Sequence, residues 1–166
     1  MAKIGIYYGS DMGNTQSIAQ QLGKELGVSK ENIHDVGSAK ADFSGYDVLL
    51  FGSSTMGLGD FQSDWEDFID KVKTVSLSGK KVAIFGCGDS SSYSDTFCDA
   101  IGKIYQVIKD SGCQIIGKTS TDGYTFDASE AVIDEVFVGL PLDEDNESDQ
   151  TTQRIASWAE QLVKEI

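Results

Sequence analysis

The chain has 166 residues, long enough for one domain with a core of its own, and 27 acidic against 13 basic side chains leave a formal charge of −14. Such a surface repels nucleic-acid phosphates and anionic lipid, so neither is an expected partner, whereas basic proteins are. No apolar run reaches the roughly 20 residues that cross a bilayer, and Met1–Ile6 lacks the apolar stretch of a signal peptide. Cys87, Cys98 and Cys113 form no Cys-x-x-Cys pair, and His34 is the lone histidine. No metal cluster and no Cys-His dyad is therefore expected, and reduced thiols in a cytoplasmic protein are.

In chain order, Ile4-Gly5-Ile6-Tyr7-Tyr8 is a short hydrophobic run that predicts a strand buried on both faces. Gly9-Ser10-Asp11-Met12-Gly13-Asn14-Thr15 reads as a polar turn into a helix, whose apolar face is Ile18, Ala19, Leu22 and Leu26. Asn32–Val36 is a second strand and Asp47–Phe51 a third. Trp65, Phe68, Ile69 and Val72 mark the next helix, Lys81–Phe85 a fourth strand, and Phe97, Ala100, Ile101, Ile104 and Ile108 a further helix. Gln114–Gly117 begins a fifth strand, with Phe137–Leu140 a second strand in its neighbourhood. The polar segment 118–136 between them is too irregular to be a core helix. Ile155, Trp158, Ala159, Leu162 and Ile166 line a closing helix. Alternating strands and helices imply a doubly wound α/β fold with a parallel sheet, helices on both faces, and a single domain over residues 1–166.

Ligands of such folds sit at the carboxyl ends of the strands. The segments leaving the first, third and fourth strands are rich in glycine and hydroxyl groups: 9–15, Gly52–Asp60, and Gly86–Tyr93. On one sheet edge they would form one crevice. A helix start offers free amide N–H groups and the positive end of the macrodipole, and Ser10, Asn14 and Thr15 add side-chain donors, so the first segment suits a phosphate. Dinucleotide and P-loop fingerprints fail: Gln62 and Ser91 stand where a third glycine belongs, and Gly79-Lys80-Lys81 lacks the flanking Gly and Ser/Thr. A phosphate cradle beside Tyr93 and Met56 fits a flat heteroaromatic ring carrying one phosphate.

At this point the sequence resembles the flavodoxins, of the long-chain type, over essentially its whole length. Ser10-Asp11-Met12-Gly13-Asn14-Thr15 is similar to the family's phosphate motif, with Met12 in place of the middle threonine. Thr55-Met56-Gly57-x-Gly59-Asp60-x-Gln62-x-Asp64-Trp65 resembles the loop over one flavin face, and Gly86-x-Gly88-Asp89-x-x-x-Tyr93-x-x-x-Phe97-Cys98 the loop over the other. Thr121-Asp122-Gly123-Tyr124-x-Phe126 and Phe137–Leu140 through Asp143-Glu144-Asp145-Asn146 resemble the long-chain insertion and the segment after it. The resemblance implies a five-stranded sheet of order 2-1-3-4-5 with an insertion in the fifth strand. It also implies non-covalent FMN and low-potential electron transfer between redox enzymes without substrate turnover.

The implied cofactor-binding residues are Ser10, Asp11, Met12, Gly13, Asn14 and Thr15 at the phosphate. For the ring they are Ser54, Thr55, Met56, Gly57, Leu58 and Gly59 on one side, and Cys87, Gly88, Asp89, Tyr93, Phe97, Cys98 and Asp145 on the other. Tyr93 would stack on the ring. Met56 stands where long-chain relatives usually carry tryptophan, and its sulfur can still lie against an aromatic face. Implied partners are the basic patches of a flavodoxin or ferredoxin reductase and of low-potential oxidoreductases, met by a monomer whose rim carries Asp60, Asp64, Glu66, Asp67, Asp89, Asp95, Asp143, Glu144 and Asp145. Three other readings fit less well. A quinone reductase on this fold lacks an acid or base near the crevice. A phosphoacceptor domain lacks an acidic cluster beside Asp11, and a calcium loop at Asp143 lacks its glycine at Ser148.

Overall fold

A computed structural model describes residues 2–11 and 13–166. Its elements run β1 (Ile4–Gly9), α1 (Asn14–Leu26), β2 (Ile33–Asp35), β3 (Val48–Met56), β4 (Asp60–Phe61), α2 (Ser63–Val72), β5 (Lys81–Cys87) and α3 (Asp99–Ile108). After these come β6 (Gln114–Ile115), β7 (Thr119–Ser120), β8 (Val132–Ile133), β9 (Val136–Phe137), β10 (Leu140–Leu142) and α4 (Ser148–Glu165). The main sheet has the order β10-β5-β3-β1-β2 and is parallel throughout that path.

Side-chain alternation along each strand sorts the core into two layers. Tyr7, Leu49, Phe51, Val82 and Ile84 face Trp65, Phe68, Ile69 and Val72 of α2 and Ile101, Ile104 and Ile108 of α3. Ile6, Tyr8, Val48, Leu50, Ala83 and Phe85 face Ile18, Ala19 and Leu22 of α1 and Ile155, Trp158 and Leu162 of α4. These side chains are buried. Each fully buried large apolar side chain contributes about 1.5–3 kcal/mol, which is why the strands read as unbroken apolar runs.

Register places the site. Gly9 lies opposite Ser53, Ser53 opposite Gly86, and Gly86 opposite Pro141, so four parallel strands end on one edge. The chain reverses its direction of winding between β1 and β3, and the crevice opens there.

Three boundaries differ from those expected. β3 runs on through Ser54 and Thr55 to Met56, because β4 folds back against it, pairing Thr55 with Phe61 and Met56 with Asp60. Hairpin pairing supplies the hydrogen bonds that make a polar, glycine-containing stretch extended. α3 starts at Asp99 rather than Phe97, because Cys98 takes a left-handed conformation (φ 53°) that helical geometry excludes. The edge next to β5 is shared by two short strands, β6 beside Lys81–Val82 and β10 beside Phe85–Cys87. The residues between them form a separate antiparallel sheet of order β7-β9-β8 that takes up Phe137, so the second of the two strands beside β5 is Leu140–Leu142.

Candidate functional site

A cleft of about 310 Å³ lies at the carboxyl edge of the sheet. Its lining brings together Ser10, Asp11, Asn14 and Thr15 after β1, Ser54–Gly57 at the end of β3, Cys87–Asp89 and Tyr93 after β5, and Glu144 and Asp145 after β10. Of the expected residues, Met12 lies outside the described ones.

The first wall is the start of α1. Its N-cap is Gly13 at φ 90°, a left-handed conformation that costs a side chain about 1–2 kcal/mol, and nothing lies within 4 Å of where a Cβ would stand. Among the described residues no side chain caps the helix, and no acid sits in its first turn. The positive end of the macrodipole thus meets the cleft uncompensated. The Ser10 hydroxyl accepts from the Gly13 N–H at 3.0 Å, which leaves its own hydrogen free to donate. Thr15 is buried, and its hydroxyl donates weakly to Cys87 Sγ at 3.7 Å. Burial pushes the Cys87 thiol up to about 12, so it lines the cleft as a neutral group. Asp11 turns its carboxylate to α2, accepting from Gln62 Nε2 (2.8 Å) and the Ser63 hydroxyl (3.3 Å).

Gln62 is a junction that the expected set omitted. It is fully buried; its side-chain oxygen caps α2 at the Asp64 N–H (3.1 Å), and its N–H reaches the Ser54 carbonyl (3.2 Å). One residue thereby ties the loop after β1 to the end of β3. Gln62 stands inside the 55–65 motif, but a buried glutamine's partners lie far apart in sequence, and no local pattern marks them.

The second wall is the β3–β4 hairpin. Gly57 (φ 49°) and Gly59 (φ 97°) shape its turn, closed by the Gly59 N–H on the Met56 carbonyl at 3.2 Å. Thr55 Oγ1 accepts from the Ala100 N–H at the start of α3 (3.1 Å). Across the cleft, Asp89 accepts from the Ser92 and Ser91 N–H groups and from Asn146 Nδ2, which hold its carboxyl below the usual range. The Tyr93 N–H closes this turn on the Asp89 carbonyl at 2.9 Å. Asn146 also donates to Asp143 Oδ1 (3.0 Å), and Asp143 accepts from the Ser90 hydroxyl. Burial and the neighbouring Asp89, Asp143 and Glu144 raise the Asp145 carboxyl.

Five expected residues are not brought to the cleft. Gly13 caps the helix behind it. Leu58 stands at the hairpin tip, 81% exposed, with Gly59 beside it turned toward Asp99. Phe97 is in the core, stacked on Phe126 at 5.6 Å, and Cys98 is buried with Sγ 3.9 Å from the carbonyl oxygens of Gly86 and Leu142. Both sit behind the 87–89 segment, because the left-handed turn at Cys98 swings the chain inward before α3 begins. Conversely, Glu144 lines the cleft and was expected only on the rim; its signal was the acidic run straight after a strand.

The flavodoxin family profile matches residues 6–158. The chain is 43% identical to flavodoxin 1 of Salmonella typhimurium, covering 100% of this chain and 96% of that one, and 42% identical to the flavodoxin of Haemophilus influenzae, covering 100% and 97%. The chain belongs to the flavodoxin family. Its fold is similar to that of Fusobacterium nucleatum flavodoxin bound to flavin mononucleotide, with TM-score 0.92 at 27% identity, covering 100% of this chain and 99% of that one. Oxidised flavodoxin 1 from Bacillus cereus shares the fold at TM-score 0.75 and 23% identity, covering 99% of each. Members of the family carry electrons and turn over no substrate of their own.

Proposed function

We propose that the cleft holds FMN and that the chain carries electrons on it at low potential between redox enzymes. The observation that carries this reading is the uncapped, acid-free start of α1 opening between two large exposed side chains, Met56 and Tyr93. Among the described residues only Met56, Leu58, Tyr93 and Val163 are large, hydrophobic and exposed, and the first three stand on the cleft or its hairpin. Exposed apolar groups gathered at a cleft mark a binding surface.

The residues fit the group. A dianionic phosphate suits the amide N–H groups of α1 with the Ser10 hydroxyl and the amide of Asn14, joined by the Thr15 hydroxyl once its hydrogen turns from Cys87 Sγ, a set of neutral donors in a chain of charge −14. Two other hollows, of about 390 and 570 Å³, fit it less well. The first lies at the opposite sheet edge, where α1 and α4 end and the negative end of a helix dipole repels an anion; the second lies between α3 and β8 beside Phe61.

FMN supplies one-electron chemistry when bound. Tyr93 and Met56 form the walls that would cover the ring, and a phenol favours an electron-poor ring over a reduced one. Asp89, Glu144 and Asp145 stand at the cleft, so negative charge added there is disfavoured and the potential is lowered. Glu144, Asp145 and the hairpin tip at Leu58 together offer an acidic surface with one apolar knob, suited to the basic patches of partner enzymes. No helix of the described residues is long and apolar enough to cross a membrane, and Cys87, Cys98 and Cys113 are free thiols, which supports a cytoplasmic setting. Residues 1–166 act in this reading as one monomeric unit.

The test is titration of the FMN-free protein with FMN, followed by quenching of flavin fluorescence. Tight 1:1 quenching is expected, weakened by about tenfold in Tyr93→Ala through lost ring contact. Absence of quenching by the wild-type protein, or equal binding by Tyr93→Ala, overturns the assignment of the cleft.

A further inference from the structure

Behind the hairpin wall lies Asp99, a carboxylate outside the cleft lining and 5% exposed. Its Oδ1 accepts from the Glu130 N–H at 2.8 Å. Its Oδ2 lies against the backbone of Gly59, where a Cβ would stand only 2.7 Å away. Gly59 is at φ 97° as well, so only glycine can rest on this oxygen without strain. The next residue, Ala100, donates its N–H to Thr55, which lines the cleft. The start of α3 therefore grips both ends of the segment that presents Met56 and Gly57.

The other side of Asp99 belongs to residues 127–131. The N–H groups of Asp127 and Ala128 reach the Ser94 carbonyl (2.7 and 3.0 Å), the Phe97 N–H reaches the Ala128 carbonyl (3.2 Å), and Ser129 donates to the Phe97 carbonyl. This strap follows the chain that leaves Tyr93. Asp99 is where it meets the opposite wall.

We propose that Asp99 is a positioning residue, seating the Met56–Asp60 turn on the 127–131 strap, so that cofactor affinity and potential depend on one carboxylate outside the cleft. The proposal rests on the FMN reading of the cleft. The charged groups around Asp99 are Lys103 on its own helix, Asp60 on the turn, Glu130 on the strap and Asp95 on the loop after Tyr93; Lys103 and Asp60 pair at 3.9 Å. Burial raises the Asp99 carboxyl, the charges of Glu130 and Asp95 add to that, and the Glu130 N–H and Lys103 oppose it. Keeping a carboxylate in so dry a place is costly unless its oxygens have defined work. Asparagine would keep the acceptor and the bulk at Gly59 while removing the charge; alanine would remove all three.

The experiment compares wild type, Asp99→Asn and Asp99→Ala as FMN-loaded proteins. Readouts are the FMN dissociation constant, hydrogen exchange of the 56–60 and 127–131 segments, and the midpoint potentials of the bound FMN. Asp99→Ala is expected to weaken FMN about tenfold and to speed exchange in both segments. Asp99→Asn is expected to restore affinity and exchange to near wild type while moving the potential in the less negative direction. Faster exchange confined to the strap, or wild-type affinity in Asp99→Ala, overturns the proposal. Where Asp99→Ala does not fold, the Asp99→Asn potential decides alone, and no shift there overturns it. Wild-type protein that binds no FMN would instead refute the reading of the cleft.

Discussion

His34 lies in β2 with its ring stacked on Tyr7 at 4.6 Å, and its Nε2 is 2.7 Å from the Tyr46 hydroxyl. That hydroxyl donates to Asn32 Oδ1 (3.0 Å), so it is left to accept, and Nε2 carries the hydrogen of a neutral imidazole. Burial lowers the His34 pKa from its ordinary 6.5. Between the lowered value and 6.5 the unfolded chain binds the proton that the folded one refuses. His34 therefore costs nothing above 6.5 and subtracts stability as pH falls through that window. Replacing His34 by Gln should remove this loss, so the difference in Tm between wild type and His34→Gln should narrow as pH falls below 6.5. A difference that stays constant across the titration would contradict it. The residue was legible in the sequence only as the lone histidine, on the second expected strand; its tautomer needed Tyr46 and Asn32. The same holds for Gln62 and for Phe97 with Cys98. Glycine and hydroxyl clusters advertise a crevice locally, whereas a buried polar junction or a left-handed turn depends on partners that the chain supplies elsewhere.

Among the elements, α1 is the one whose local stability and proposed task are opposed. A helix gains from an acid in its first turn by about 0.3–1 kcal/mol, yet α1 has none there and no side-chain cap. Gln16 is exposed in that first turn. Gln16→Glu should raise or leave unchanged the Tm of the FMN-free protein while weakening FMN several-fold, because the new carboxylate takes up the field that the phosphate needs. Calorimetry and fluorescence titration on one preparation would check both signs, and tighter FMN binding would show that the N-terminus is not the anion site. Strand and helix order could be read from periodicity because burial on one or two faces writes itself into the sequence. The extension of β3 to Met56 and the sharing of one edge by β6 and β10 could not. Both follow from pairing between segments, β4 on β3 and two short strands on β5, and hydrogen-bond pairing leaves little trace in side-chain pattern.

For the whole molecule, charge works in two directions at once. With 27 acids and 13 bases, the folded chain gathers more mutual repulsion than the extended one. At the carboxyl edge Asp89, Asp143 and Asp145 bring oxygens within 4.8 Å of one another, and the amide of Asn146 bridges the first two. Salt at about 0.15 M shortens the reach of such charges to about 8 Å and so relieves repulsion within the fold. The FMN-free protein should therefore gain Tm as salt rises from low to physiological strength at neutral pH. Attraction to a basic partner is screened by the same ions, so the rate of electron transfer with a basic reductase should fall over the same range. Thermal unfolding and stopped-flow mixing across one salt series check the pair. Opposite slopes are expected if one charge distribution is cramped within the fold and, as proposed, complementary to a basic partner outside it. Parallel slopes would mean that the acidic edge is not the surface the partner meets.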